Sequence, residues 1–460
     1  MSLTAFFALL GSLLVLAFVA NRLGRRTGVP DVLVLLAVGL ILGPVTHILD
    51  PSRFDPITRG LGTFALLLIL FEAGLELDVR DTLRHFPGSL LLALLTYGIG
   101  TVGVGFLCQY ALGLPRPTAF LVGAVMGCAS SSIVIPVLQQ LELPPSMKVT
   151  LTVEASFSDA LGALTVGVLF GLESASKPTG VYAWLLQRLG FATATSFSLM
   201  GRLAGGFLGR MGIALALSAL AGFLWTRLLP LISEQRFWRV LTLAATLLVY
   251  SAVQAAGGSE LFAVMVFGFI LSNFPHERSQ KAGAAAVALA KGSSSVEGLT
   301  QHQEVLAFNA EIGFLIRSFF FVLIGVVSNF TGLRTQFLQS VGILATLLVA
   351  RWFAVQISRV AWHGTTHADR ELACLLIPRG LINAVLALEV VEVRRGLDFL
   401  PSLAFAVILL SNLLMVVGTV RTRRLVSAEA EAAALGENSA TIFPEASVPV
   451  SGRPDDIPKG

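Results

Sequence analysis

Thirteen apolar runs, most of them about 17 to 25 residues long, follow one another along the chain with short polar links between them. They lie near 3–22, 31–49, 58–75, 87–110, 116–140, 149–171, 208–230, 238–256, 259–274, 305–329, 337–359, 370–392 and 400–420. Lipid offers a backbone no hydrogen bonds, so runs of this length must be helices that satisfy their own N–H and C=O groups. The expected fold is therefore an all-α polytopic membrane protein. Composition agrees, since 55% of the 460 residues are hydrophobic and 13% charged, where a soluble domain has about 25% charged. The long run at 87–110 implies tilt, and the short one at 259–274 relies on protein neighbours.

A net charge of +4 could suggest a nucleic-acid partner, but the basic residues sit mostly in the short links, so topology explains them and no nucleic acid is expected. Cations crowd one set of alternate links, from Arg22, Arg25 and Arg26 through Lys148 and Arg236 to Arg421, Arg423 and Arg424. The other set holds fewer, among them Arg53, Arg59, Arg334 and Arg394. Cytoplasmic links are enriched in Lys and Arg, which places the N-terminus outside and the C-terminus in the cytoplasm. The first run has its cations after it and none before, the pattern of a retained span rather than a cleaved signal. The link near 275–303, rich in Gly, Ala and Ser, reads as a surface helix with a flexible stretch. Residues 425–460, with Pro444, Pro449 and Pro454 and few large apolar side chains, read as a disordered cytoplasmic tail.

The chain also echoes itself. Val38-Gly-Leu-Ile-Leu-Gly-Pro44 resembles Phe267-Gly-Phe-Ile-Leu-Ser-Asn273, and Leu70-Phe-Glu-Ala-Gly74 resembles Phe321-Val-Leu-Ile-Gly325. Spans one to six would then repeat as spans eight to thirteen, with span seven placing the copies in opposite orientations.

Polar residues inside apolar runs carry the chemistry. A carboxylate at the centre of a membrane helix costs roughly 3 kcal/mol, so it normally faces a partner or a wet cavity. The run Leu151 to Phe170 contains two, Glu154 and Asp159, and helical spacing puts Ser156 on the face of Asp159 and Ser158 on the face of Glu154. Hard oxygens of this kind suit a small bare cation or a proton. Glu72 lies in span three, just before Ala73-Gly74, where a helix break is expected. In span five, Pro136 should break the helix after Ser130-Ser131-Ser132 and free a carbonyl near Ser132. Span twelve contains Pro378-Arg379-Gly380, a second break with a permanent cation in it. Glu154 is the expected partner of Arg379, leaving Asp159 free to titrate. Arg317 is another buried cation, with three readings open: beside the site, paired with Glu311, or turned outward. His363 and His367 are four apart but lie in a polar link, and Cys108, Cys128 and Cys374 sit in apolar runs as small hydrophobes.

Together these residues resemble the monovalent cation/proton antiporter superfamily, of the sodium/proton exchanger type. The resemblance runs from Thr27-Gly-Val-Pro30 and Gly39-Leu-Ile-Leu-Gly43 through Leu67-Leu-Ile-Leu-Phe71-Glu72-Ala-Gly74 and Ser130-Ser131-Ser132. It continues over Glu154, Ser158-Asp159, Phe320-Phe321, Gly325 and Pro378-Arg379-Gly380, covering about residues 1–420 in order. It implies a secondary transporter and not an enzyme. The expected assembly is a homodimer in the bilayer, the bacterial inner membrane being expected. A core (about 58–172 and 305–420) would slide against a dimerisation part (about 1–50 and 208–274), all within a transmembrane domain of residues 1–424. It implies Asp159 as the site of Na⁺ or H⁺, with Glu72, Ser156, Ser158, Ser130 and Ser131 as further ligands. Ser132 and Arg317 would be accessory, and Glu154 with Arg379 the structural ion pair. No cofactor is implied.

Two departures bear on selectivity. Ser158 stands where the family usually has Asn or Asp before the cation carboxylate, and Ala155 stands where a Ser often follows the Glu, with Ser156 one residue later. A single carboxylate resembles the electroneutral members. Na⁺ is the expected substrate, with K⁺ and Li⁺ open, because selectivity rests on ligand geometry. Two other classes differ in stated ways. An intramembrane aspartyl protease needs a second deep Asp, and none lies in any apolar run. A channel or sensor on a transporter fold would pass cations without obligatory proton counterflow.

Overall fold

The computed structural model describes residues 3–27, 29–49, 51–77, 79–141, 143–173, 199–232, 237–286, 294–328, 330–358, 367–394 and 396–442. Among them there is no strand. The helices are α1 (Leu3–Thr27), α2 (Asp31–Leu40, running into a π turn Ile41–Val45 that contains Pro44), α3 (Pro51–Glu76) and α4 (Val79–Ala111). They continue with α5 (Arg116–Gly127), α6 (Ser131–Gln139), α7 (Pro145–Glu173), α8 (Leu199–Ile232), α9 (Trp238–Ala255) and α10 (Glu260–Ala286). The last are α11 (Ser294–Val327), α12 (Phe330–Ile357), α13 (His367–Leu375), α14 (Leu381–Val393) and α15 (Leu400–Ile442).

Each apolar run falls on one helix or on a broken pair. Among the described residues eight such elements are long and apolar enough to cross a membrane, and four shorter apolar helices lie at 31–45, 60–75, 260–273 and 381–391. The division has a physical pattern. The window Phe7–Gly24 of α1 is 17% buried and exposes Phe7, Val15 and Phe18, whereas Arg116–Gln139 across α5 and α6 is 83% buried. The broken pair lies at the centre, and the outer helices turn apolar side chains to the lipid.

Glycines let the two halves of the chain interlock. A methyl group on Gly39 of α2 would overlap the Val322 carbonyl of α11, and one on Gly325 would overlap that of Leu36. In the same way Gly268 of α10 meets the Phe71 carbonyl of α3, and Gly74 meets that of Met265. A shift of 229 positions carries Leu36 and Gly39 onto Met265 and Gly268, and one of 251 carries Phe71 and Gly74 onto Val322 and Gly325. Each close contact thus has a counterpart made by the echoed segment. Helix pairs follow suit, with α4 packed on α7 as α12 is on α15, and α1 on α2 as α9 is on α10.

Three local expectations change, and the helix expected near 275–303 is found on either side of residues 287–293, which lie outside the described residues. Ala73-Gly74 does not break α3, which continues to Glu76, because the glycine serves helix contact. Pro136 lies inside α6, and the chain unwinds earlier, at Cys128 to Ser130. In the link near 275–303, α10 runs on to Ala286 and α11 begins at Ser294. The tail, expected to be disordered from 425, is helical to Ile442, since Ser427-Ala-Glu-Ala-Glu-Ala-Ala-Ala-Leu435 is made of strong helix formers that need no core. Residues 443–460 and His363 lie outside the described residues.

Candidate functional site

Two broken helices cross at the centre of the molecule. Helix α5 ends at Gly127, where a side chain would strike Thr101 Oγ1, and Cys128 turns extended (φ −67°, ψ 133°). Helix α13 ends at Leu375, and Pro378 cannot continue it. The two links touch directly, the Ser130 N–H donating to the Pro378 carbonyl at 3.0 Å. Gly380 permits the crossing, because a Cβ there would overlap Ser130 Oγ.

Breaking a helix orphans its terminal groups, and several of the orphans here are met by side chains. At the end of α5, Asn383 Nδ2 donates to the carbonyls of Val125 (2.8 Å) and Cys128 (3.2 Å), and Arg379 Nε donates to that of Met126 (2.8 Å). A cation there also meets the negative end of the helix dipole, an effect of up to about 2 kcal/mol when partly buried. Asn383 Oδ1 accepts from the Gly380 N–H at 2.9 Å, which starts α14. At the end of α13, Arg351 Nε donates to the Ala373 carbonyl at 2.8 Å.

Asp159 sits at the positive end of α6. Its Oδ2 accepts from the Ser131 N–H at 3.1 Å and from the Ser131 hydroxyl at 2.5 Å, a helix N-terminus holding an anion. The side chain is 2% exposed, and its Oδ1 is buried with no hydrogen-bond partner. One oxygen is therefore fixed by the protein and the other is uncommitted. The next-door Ser158 Oγ accepts from the Ala129 N–H at 2.9 Å and so holds the link in place. Ser130 and Ser132 hydroxyls bond each other at 2.9 Å. Cys128 packs against Gly162, whose missing side chain leaves room for its sulfur.

The remaining candidates fall elsewhere. Ser156 is buried but donates to its own helix at the Thr152 carbonyl (2.9 Å). Glu72 lies beside α11, with its Oε2 at the face of Gly313 and Arg317 within electrostatic reach, and it makes no hydrogen bond to Asp159. Arg317 turns inward, its Nη1 on the Ser132 carbonyl at 3.4 Å, which is the carbonyl that Pro136 leaves without a helical donor. Proline position thus gives the free carbonyl but not the break.

The ion pair is the main correction. Glu154 Oε1 pairs with Arg351 Nη1 at 2.6 Å, both side chains at most 2% exposed, and Thr96 Oγ1 supports the same nitrogen at 3.2 Å. Arg379 is instead taken up by the Met126 carbonyl of α5 and the Ile377 carbonyl of its own link. Arg351 stands in the middle of the run 337–359, and the rule that singles out Asp159 would have singled it out too. Asn383, Ser411 and Asn412 carry no such signal, because a neutral polar side chain in a membrane helix costs little and shows its purpose only in the fold.

The profile of the family described as "Sodium/hydrogen exchanger, transmembrane" matches residues 10–421. The chain is 24% identical over 409 residues to Na(+)/H(+) antiporter 1 of Methanocaldococcus jannaschii, covering 85% of both chains. It is 22% identical over 433 residues to the K(+)/H(+) antiporter NhaP2 of Shewanella oneidensis, covering 93% of this chain and 68% of the relative. The structure of the sodium proton antiporter MjNhaP1 from Methanocaldococcus jannaschii at pH 8 superposes with a TM-score of 0.71 at 20% identity, covering 92% of this chain and 98% of that one. The matched region takes in the crossing, both buried arginines and Asp159, and the chain belongs to the sodium/hydrogen exchanger family.

Proposed function

We propose that this integral membrane protein is a secondary active antiporter that exchanges Na⁺ for H⁺, one for one, at Asp159. The observation that carries the reading is a buried carboxylate with one oxygen held by the N-terminus of α6 and the other without a partner. A proton on that oxygen or a cation beside it neutralises the group, and a bare carboxylate carried through lipid would cost several kcal/mol. Movement of the loaded site alone then couples the two fluxes. Ser130, Ser131, Ser132 and Ser158 supply hard oxygens nearby, and Glu72 with Arg317 sets the charge beside them. The Glu154–Arg351 pair holds α7 to α12 and α13, so that the two broken helices move as one body.

Thirteen crossings arranged as an inverted repeat, spans one to six and eight to thirteen, fit the paired glycine contacts. In this reading the core comprises about 58–172 and 305–420, the dimerisation part about 1–50 and 208–274. The chain works as a homodimer in a bacterial inner membrane, N-terminus outside and C-terminus in the cytoplasm, as the cation-rich links favour.

A second reading, K⁺ for H⁺, is favoured by the relatives named K(+)/H(+) antiporter NhaP2 and by Ser158, a weaker oxygen ligand than a carboxylate. Proton flux from proteoliposomes loaded at low pH, triggered by Na⁺, K⁺ or Li⁺, tests both. Cation-triggered flux that vanishes in Asp159→Asn supports antiport, and the ranking of ions names the substrate. Cation passage with no coupled proton movement would replace the antiporter by a channel.

A further inference from the structure

A notch opens sideways between α12 and α13. It holds about 290 Å³ and is lined by Leu348, Val349, Trp352, Cys374 and Leu375. The notch follows from the break in the second crossing helix. Helix α13 has only nine residues, and from Leu376 to Gly380 the chain runs inward and is buried, whereas α12 is unbroken from Phe330 to Ile357. A side of α12 is therefore left uncovered where α13 stops. Val349, Trp352, Phe353 and Ile357 are all exposed on α12, and an apolar helix face of this kind meets lipid. Ligand sites run from roughly 300 Å³ upward, so a notch of this size takes a single hydrocarbon chain.

A cation stands one turn along from the notch. Glu371 precedes Leu375 by four residues and so shares its face of α13. Its Oε1 holds Arg421 Nε of α15 at 2.8 Å, while the Arg421 side chain stays 64% exposed. Helix α15 is pressed to the same place, since a Cβ on Gly418 would lie 2.8 Å from that of Leu375. In sequence this rim carries Arg370, Arg421, Arg423 and Arg424 against Asp369 and Glu371, and Asp369 is buried. An apolar slot open to the bilayer, with surplus positive charge at one end, matches a molecule with a hydrocarbon chain and an anionic head.

We propose that the α12–α13 notch binds an anionic phospholipid of the surrounding bilayer, one acyl chain lying against Trp352 and Leu375 and the head-group phosphate meeting Arg421. The occupant braces the end of α13, the helix whose following link carries Arg379. The proposal does not depend on which ion Asp159 takes.

Trp352 supplies the probe. Lipids brominated on their acyl chains quench tryptophan fluorescence on contact, and the difference between wild type and Trp352→Phe isolates Trp352 from the other tryptophans. In phosphatidylcholine nanodiscs, a small fraction of brominated phosphatidylglycerol should quench this difference signal at least about fivefold more effectively than the same fraction of brominated phosphatidylcholine, the scale of one arginine on an anionic lipid. Arg421→Gln should lower the preference by about that factor, and Cys374→Phe, which puts a ring into the notch, should abolish it. Equal quenching by the two lipids means bulk contact only and overturns the proposal, as does a preference unchanged in Arg421→Gln or in Cys374→Phe. If Trp352→Phe fails to fold, the wild-type protein decides alone. Cys108 and Cys128 are buried and Cys374 is partly exposed, so Cys374 is the thiol that a lipid-soluble maleimide reaches. Phosphatidylglycerol should slow that labelling and phosphatidylcholine should not, and equal rates in the two lipids overturn the proposal.

Discussion

The two helix crossings at the centre are built on one plan and carry different charges. In each, a long unbroken helix offers a serine to a link N–H, at 2.9 Å from Ser158 and 3.0 Å from Ser411. In each, the following residue is fully buried with one oxygen left over. The α7 copy has a carboxylate there and aims it at the N-terminus of α6, where backbone and hydroxyl donors await an anion. The α15 copy has an amide there and uses it to hold a peptide that carries Arg379. One crossing ends on a carboxylate oxygen without a partner, and the other on an amide that grips the peptide of a buried arginine.

Exchanging the two residues is the most severe way to break this comparison. The double variant Asp159→Asn with Asn412→Asp keeps the composition and moves the carboxylate to a place without donors. Proteoliposome exchange should fall to the level of protein-free vesicles, and retained exchange would mean that the two halves are equivalent after all. Next in size is the buried pair. Glu154→Gln strands Arg351 in the interior and should lower the unfolding free energy by about 3–5 kcal/mol, whereas replacing both residues with apolar ones should cost far less. Thermal unfolding in detergent compares the two, and equal losses would show that the pair is not the source.

The glycine contacts sharpen the comparison at the level of the fold. Gly39→Ala and Gly268→Ala each force a methyl onto a carbonyl of the other half of the chain, and each should cost about 1–3 kcal/mol. Similar losses in melting temperature are expected, and a neutral outcome for one of them would remove it as the counterpart of the other. The smallest effect concerns the serines. Ser158→Ala and Ser411→Ala each remove one buried hydrogen bond, worth about 0.5–1.5 kcal/mol net. Their stability losses should match, while their effects on exchange should not.

Much of this was legible before any coordinates. Thirteen apolar runs dictate helices because lipid leaves the backbone no alternative, and Pro378-Arg379-Gly380 marks a break by local rules alone. Asp159 stands out by its cost in lipid. The pairing of Glu154 is not legible in the sequence, because Arg351 and Arg379 are both arginines inside apolar runs and packing alone decides which of them meets the carboxylate. Arg379 satisfies a helix-end carbonyl, that of Met126, which is free only once α5 has broken at Gly127. That break, in turn, depends on Asn383 and Ser158 rather than on Pro136, whose effect is confined to the Ser132 carbonyl now facing Arg317. The helix to Ile442 is not marked by apolar residues, because alanine and glutamate form helices by local propensity without them.

The most direct measurement is the number of protons released when Na⁺ binds the purified protein, followed by titration calorimetry in buffers of different ionisation enthalpy. With Asp159 as the shared group, wild type should release close to one proton per Na⁺ bound at acidic pH and fewer as the pH rises, and Asp159→Asn should bind no Na⁺ at this site. Na⁺ binding without proton release at any pH, or binding unchanged in Asp159→Asn, would contradict the account.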